Sequence, residues 1–147
     1  MNTVIIKAKR LTQTARLPVR GSAYAAGYDL YADLTQPEQI PPHETRMIGT
    51  GLSIAVPEGY FGAIFARSGL AARESLRPAN CVGVADSDYR GEYKVAMHND
   101  GDVPRTIAPG DRIAQLVIMP FLPVVFEEAQ ELSKTERGAG GFGSTGR

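Results

Sequence analysis

The chain has 147 residues, of which 43% are hydrophobic and 22% charged, and its formal net charge at pH 7 is zero. This length and composition predict one globular domain rather than two domains or a disordered chain. A neutral chain has no overall electrostatic attraction for nucleic acid or a membrane surface, so we expect neither as a partner. A polyanionic ligand would have to be held by a few local arginines.

The only cysteine, Cys81, cannot form an internal disulfide, which fits a reducing compartment. The most apolar stretch, 113–126, contains Gln115, Pro120 and Pro123 and is too short to span a bilayer. The first ten residues lack the apolar segment of a signal peptide. We therefore expect a cytoplasmic protein, and a nuclear location is the alternative if the source is eukaryotic.

Short alternating runs dominate the chain and helical periodicity is nearly absent. "GLSIAV" (51–56) and "EYKVAMHN" (92–99) each place alternate apolar residues on one face, as in half-buried strands. Between them, "SGLAARES" (68–75) predicts a short helix. Turn residues occur at 56–60, 99–102 and 108–111. We predict an all-β, single-domain fold, a jelly-roll-like β-barrel with one short helix.

The run "RIAQLVIM" (112–119) is apolar on both faces except at Gln115, as in a strand buried between layers or subunits. Such a strand, together with exposed strand edges, is covered by closure of the sheet or by symmetric association. We therefore expect an oligomer.

The last eleven residues, "RGAGGFGSTGR" (137–147), are rich in glycine. Gly138, Gly140 and Gly143 match G-x-G-x-x-G, but a dinucleotide site needs a following helix and a distant acidic residue, and neither follows here. The composition favours a solvated tail. Glycine amides, hydroxyls and arginines are also donors suited to phosphate, so a ligand-binding arm is the alternative interpretation of this segment.

Other catalytic patterns are weak. His43 and His98 lack metal-ligand spacing, and Ser68 is not in the G-x-S-x-G pattern of a hydrolase. Cys81 with His98 is conceivable as a thiol dyad, but a buried strand cysteine is favoured.

Acidic residues cluster on two predicted turns, "AAGYDLYAD" (25–33) and "ADSDYRGEY" (85–93). Taken singly, each is typical of a solvated turn. Asp86 differs because it follows the apolar run "CVGVA", which predicts a carboxylate at the end of a buried strand, where it could act as a base.

Five segments occur in an order that resembles the trimeric deoxyuridine triphosphate nucleotidohydrolase (dUTPase) family. They are "AGYDLYA" (26–32), "ARSGLA" (66–71), "NCVGVADSDYRGE" (80–92), "GDRIAQL" (110–116) and "RGAGGFGSTG" (137–146). The resemblance implies a β-clip fold with a core over 1–136 and a flexible arm over 137–147 that closes over an active site.

It also implies hydrolysis of dUTP to dUMP and pyrophosphate with Mg²⁺, in a homotrimer with shared active sites. Asp86 would be the general base and Asp29 would reach the metal through water. Asn80 and the backbone of a hairpin from Val84 to Lys94 would read uracil, and Tyr89 would pack under the sugar. The remaining expected substrate-binding residues are Arg67, Ser68, Gly69, Ala85, Gln115, Arg137, Phe142, Gly143, Ser144 and Thr145.

The sequence departs from the family pattern at Ala66, where proline is common, and at Ala85, where a larger branched residue is more frequent. A deoxycytidine triphosphate deaminase-like enzyme of the same fold is an alternative, which the aspartate of "ADSDYRG" and the C-terminal glycines oppose. A non-catalytic, nucleotide-binding regulatory trimer is a second alternative.

Overall fold

The computed structural model describes residues 3–143, which form twelve strands and one short helix. The strands are β1 (Lys7–Arg10), β2 (Val19–Arg20), β3 (Tyr28–Tyr31), β4 (Glu38–Ile40), β5 (Thr45–Gly49), β6 (Leu52–Ala55), β7 (Tyr60–Phe65), β8 (Leu76–Pro78), β9 (Val82–Ala85), β10 (Lys94–Asn99), β11 (Arg105–Ile107) and β12 (Arg112–Pro120). Helix α1 (Ser68–Glu74) lies between β7 and β8. The prediction of an all-β domain with one short helix is confirmed.

The described strands form four antiparallel sheets. The largest has the order β2-β3-β12-β7-β9, a second has the order β5-β10-β8, and β1 pairs with β6 and β11 with β4. Over residues 3–143 these sheets do not close into a barrel, so that part of the prediction is wrong. Each sheet ends on a strand that is paired on one side only, as β9 is with β7.

One hydrophobic core is shared by the sheets. Leu52 and Ile54 of β6 are buried, and so are Val95 and Met97 of β10, as their alternation predicted. Alternation buries one face because successive side chains of a strand point to opposite sides of its sheet.

Strand β12 lies in the middle of the largest sheet, between β3 and β7. A register shift between Arg112 and Ala114 lets the adjacent residues Ile113 and Ala114 both face the core. Burial decreases toward the end of the strand, where Met119 is exposed. The expectation of burial on both faces is therefore met only in the first half of β12.

Beyond Pro120 the described chain forms neither strand nor helix. Leu122, Val125, Phe126 and Leu132 are almost fully exposed there. Monomeric soluble proteins rarely expose so many apolar side chains on one segment. No helix within residues 3–143 has the length and hydrophobicity needed to cross a membrane.

Candidate active site

A cleft of about 480 Å³ opens between the largest sheet and the three-stranded sheet. We call it the Asp86 cleft. Its lining residues are Met47, Ile64, Asn80, Gly83, Val84, Ala85, Asp86, Tyr89, Glu92, Tyr93 and Lys94. Six of these are residues expected from the sequence to bind substrate or act as the base: Asn80, Val84, Ala85, Asp86, Tyr89 and Lys94.

The cleft exists because the chain changes sheets between β9 and β10. Strand β9 pairs with β7, whereas β10 pairs with β5 and β8. The predicted hairpin from Val84 to Lys94 is therefore wrong, since its two strands do not pair with each other. The loop that joins them spans the gap between two sheets and leaves room for a ligand.

Asp86 is the first residue after β9 and is exposed at the cleft. The position at a strand end agrees with the prediction, but the strand is not buried. Val82 and Val84 are 38% and 65% exposed, because β9 is an edge strand. The Asp86 carbonyl oxygen accepts a hydrogen bond from the Tyr89 amide at 3.1 Å, which closes a turn beside the carboxylate.

The turn is fixed by three side chains that bond to backbone. The Tyr89 hydroxyl donates to the Glu92 carbonyl oxygen at 2.9 Å. Arg90 Nη1 donates to the carbonyl oxygens of Ser87 and Tyr89 at 2.7 and 3.0 Å. Ser53 Oγ donates to the Arg90 carbonyl oxygen at 2.7 Å, which ties the turn to β6. These bonds hold the Tyr89 ring in a defined position at the cleft wall.

Glu92 and Tyr93 line the cleft but were not among the expected site residues. Glu92 Oε1 accepts a hydrogen bond from the Gly51 amide at 3.0 Å, and its other oxygen lies 3.6 Å from Lys94 Nζ. Tyr93 was interpreted from the alternation as an inward-facing strand residue. Tyr93 is buried, as the alternation predicted. The two-residue alternation of a strand predicts which face a side chain occupies, but not how far a long side chain extends.

A second group of polar side chains, the Arg67 cluster, consists of Asp29, Arg67, Arg112 and Gln115. Asp29 accepts from Arg67 Nε at 2.9 Å and from Arg112 Nη1 at 3.4 Å. Gln115 Nε2 donates to the Ala66 carbonyl oxygen at 2.9 Å. The predicted residues Asp29, Arg67 and Gln115 are thus brought together, and Arg112 is a member that sequence reasoning missed.

Glycines shape this region in two ways. A Cβ on Gly27 would collide with the Gln115 side chain. Glycine at this position therefore leaves room for the Gln115 carboxamide beside the backbone that precedes β3. A Cβ on Gly69 would meet nothing within 4 Å in this chain. Close approach at Gly69 would therefore have to come from a molecule outside the chain. Ser68 is the first residue of α1, next to Arg67.

Within one chain, the Asp86 end of the cleft and the Arg67 cluster lie toward opposite ends of the β7–β9 ladder. Ala85 lies opposite Gly62 in the β7–β9 ladder, and Arg67 follows Gly62 by five residues. At about 3.3 Å per residue of extended chain, the level of Ala85 in this ladder lies about 17 Å along the chain from Arg67. This distance is several times the spacing of neighbouring phosphorus atoms in a polyphosphate.

Among the predicted arm residues, Arg137 Nε donates to the Gly140 carbonyl oxygen at 2.8 Å, a bond within its own loop. Phe142 is fully exposed, and both it and Gly143 have positive φ, at 48° and 87°. Neither residue lines the Asp86 cleft. Ser144 and Thr145 lie outside the described residues.

The expectation that Cys81 is a buried strand residue is wrong. Cys81 is exposed rather than buried, with a φ of 61° in the turn before β9. The apolar run that suggested burial is an edge strand, which explains the error. Within residues 3–143, no group of three or more His, Cys, Asp or Glu side chains could hold a metal ion.

A family model described as dUTPase matches residues 13–146. The deoxyuridine 5'-triphosphate nucleotidohydrolase of Syntrophotalea carbinolica is 44% identical over 146 residues, which is 99% of each chain. This chain belongs to the dUTPase family.

Two solved structures are similar over most of the chain. The dUTPase of Staphylococcus bacteriophage 80alpha with dUpNHpp is 29% identical, with a TM-score of 0.90 over 99% of this chain and 100% of that one. A mutant dUTPase from phage phi11 of S. aureus, in which a structural Mg(II) ion is coordinated, shares the fold. It is 24% identical, with a TM-score of 0.80 over 89% of this chain and 100% of that one.

Proposed function

We propose that this chain hydrolyses dUTP to dUMP and pyrophosphate, as a dUTP diphosphatase. The observation that carries the proposal is the convergence of six expected residues around one cleft with the Asp86 carboxylate at its opening. Such an activity would limit uracil incorporation into DNA and supply dUMP for thymidylate synthesis. The family membership and the bound dUTP analogue in a similar structure support the same substrate.

Asp86 is the general base in this proposal. Its carboxylate accepts the proton of a water molecule that attacks the α-phosphorus in line, and the P–O bond to the pyrophosphate leaving group breaks. The exposure of Asp86 suits this role because the attacking water must reach it before the site closes.

The walls of the cleft select the nucleoside. Asn80 and the backbone near Val84 and Ala85 can pair with the uracil edge, and a backbone wall leaves little space for a 5-methyl group. Tyr89 packs beneath the sugar, where its fixed ring would meet a 2′-hydroxyl. Lys94 adds a positive charge at the rim of the cleft.

The phosphates bind Arg67, Ser68, Gly69 and Gln115 in the proposal. The Asp29 carboxylate already accepts from two arginines, so it is poorly placed to be a direct metal ligand. It can reach the hydration shell of Mg²⁺ through water. The residues present therefore fit Mg²⁺ that is held chiefly by the triphosphate, as is usual for this ion. The ion would neutralise negative charge on the phosphates.

The separation within one chain supports the part of the proposal that concerns a homotrimer with shared sites. Because about 17 Å of extended chain lies between the level of Ala85, next to Asp86, and Arg67, a nucleotide whose α-phosphorus is at Asp86 is served better by an Arg67 cluster of another subunit. The exposed apolar residues after Pro120 suit the same assembly, since a neighbouring subunit would cover them.

In this assembly residues 1–136 are the core and 137–147 are the arm. Arg137, Phe142, Gly143, Ser144 and Thr145 would close over base and phosphates and exclude water. The deaminase-like and non-catalytic alternatives are not favoured by the family match.

The proposal is tested by measuring pyrophosphate release from dUTP, dTTP, dCTP and UTP side by side. Asp86→Asn should reduce kcat on dUTP by about 100-fold or more, because it keeps the shape but removes the base. The matched control is Asp88→Asn, which changes an exposed aspartate of the same turn and should leave kcat nearly unchanged. A variant at Asp86 that keeps more than about a tenth of wild-type turnover would show that water is activated elsewhere.

A further inference from the structure

Arg112 is the member of the Arg67 cluster that has no role in the proposed function. Its side chain is 53% exposed, whereas those of Arg67 and Asp29 are 26% and 15% exposed. Both arginines donate to the same carboxylate, Arg67 Nε to Asp29 Oδ1 at 2.9 Å and Arg112 Nη1 to Asp29 Oδ2 at 3.4 Å. Each arginine therefore occupies one oxygen of Asp29.

A β-bulge places Arg112 beside this carboxylate. In the ladder between β3 and β12, Arg112 pairs with Tyr31 and Gln115 pairs with Asp29, with a register shift between Arg112 and Ala114. Residues three positions apart in a regular strand point to opposite faces, and the extra residue of a bulge reverses this. Arg112 and Gln115 therefore lie on the same face of the sheet as Asp29.

The contact through Nε leaves the end of the Arg67 side chain free. Among the described residues 3–143, the terminal nitrogens Nη1 and Nη2 of Arg67 have no hydrogen-bond partner. A guanidinium with a free pair of nitrogens can donate to two oxygens of one phosphate, which is the strongest geometry that arginine offers to a phosphate.

The pair of Arg77 and Asp100 in the same chain shows the geometry of an aspartate that binds one arginine. Arg77 donates from Nε at 2.6 Å and from Nη2 at 3.0 Å, with one bond to each oxygen of Asp100. If the second oxygen of Asp29 were vacant, Arg67 could bind in this same way. One of its terminal nitrogens would then be lost to a phosphate.

Arg67 and Arg112 also line one cavity of about 220 Å³ beside α1, together with the acidic residues Glu74 and Asp111. Two carboxylates on the wall of the cavity oppose the binding of a phosphate inside it. This argues against Arg112 as a direct phosphate ligand and leaves its contact with Asp29 as the interaction that affects the site.

We propose that Arg112 is a positioning residue. It occupies the second oxygen of Asp29 and thereby keeps the terminal nitrogens of Arg67 available to the phosphates of dUTP. This proposal rests on the proposed function, because it takes the triphosphate as the ligand of Arg67. Arg112 acts through Asp29 and Arg67 and does not itself contact the nucleotide.

The test compares wild type with Arg112→Met, which keeps a long unbranched side chain and removes every donor. KM for dUTP should rise about tenfold, the equivalent of one lost charge-assisted hydrogen bond. We expect kcat and the dissociation constant of dUMP to stay within about twofold, because the lost contact serves ground and transition states equally and dUMP lacks the two outer phosphates. Arg112→Lys should bring KM back to within about threefold of wild type, since the contact with Asp29 uses a single nitrogen.

The matched control is Arg73→Met, which removes the same charge from an exposed position in the last turn of α1 and should change none of these values. An unchanged KM for dUTP in Arg112→Met, an equal loss of dUMP affinity, or a loss of kcat alone overturns the proposal. So does an Arg112→Lys variant that is impaired as much as Arg112→Met.

A crystal structure of Arg112→Met gives a readout that is independent of kinetics. Arg67 donating to both oxygens of Asp29, each within about 3.2 Å, supports the proposal, and Arg67 bound through Nε alone overturns it.

The two proposals fail in different ways. Wild-type protein that does not hydrolyse dUTP overturns the proposed function, and the role of Arg112 with it. An active wild type with an indifferent Arg112→Met variant overturns the role of Arg112 alone.

Discussion

The shared-site proposal predicts that two inactive variants restore activity in mixed trimers. One variant carries Asp86→Asn with its arm intact, and the other keeps Asp86 but ends at Glu136. The structure motivates the experiment, because the described residues of the arm lie apart from the Asp86 cleft of their own chain. If base and arm come from different subunits, each variant supplies the part that the other lacks.

The expected recovery follows from counting subunits. In trimers assembled at random from equal amounts, the subunit that provides Asp86 is intact in about half of the sites, and so is the subunit that provides the arm. The two draws are independent, so about a quarter of the sites are complete. Turnover per site should therefore recover to about a quarter of the wild-type value.

The assay is pyrophosphate release from dUTP after the two variants are unfolded and refolded together. Each variant refolded by itself is the control and should remain inactive. Native mass spectrometry should confirm that mixed trimers have formed. If mixed trimers are present and activity stays at the level of the controls, each arm serves its own chain, and the shared-site reasoning is refuted while the hydrolase assignment stands.

Two further changes test other parts of the argument. Tyr89→Ala should lower the preference for dUTP over UTP by about tenfold, because it removes the ring that a 2′-hydroxyl would meet. Competition assays with the two nucleotides measure this dUTP/UTP selectivity. An unchanged selectivity would show that Tyr89 does not have this role. Asp100→Asn should lower the thermal midpoint at neutral pH, because Arg77 donates to both Asp100 oxygens at 2.6 and 3.0 Å and thereby lowers the pKa of Asp100 below its ordinary 3.8. A carboxylate whose folded pKa is lowered stabilises the protein above the unfolded pKa and loses this effect as pH falls through the folded value, so the difference between the proteins should vanish in strong acid. A gap of equal size in melting curves at neutral and strongly acidic pH would contradict that explanation.

Local patterns predicted the parts of the molecule that depend on local physics. The alternation in 51–56 and 92–99 identified buried strand faces because the pleat of a strand has a period of two. The motifs in their order led to the family, and with it to Asp86, Asn80 and Tyr89, which the fold brings to one cleft.

Other features depended on which strands pair, and no local pattern contains that information. The run before Asp86 is apolar, but β9 lies at a sheet edge, so Cys81, Val84 and Asp86 are exposed. The family resemblance implied a hairpin from Val84 to Lys94, yet its ends join different sheets. Only the tertiary structure decided that a cleft opens between those sheets. It also buried Tyr93 behind Tyr89, because the depth a side chain reaches depends on the space its distant neighbours leave.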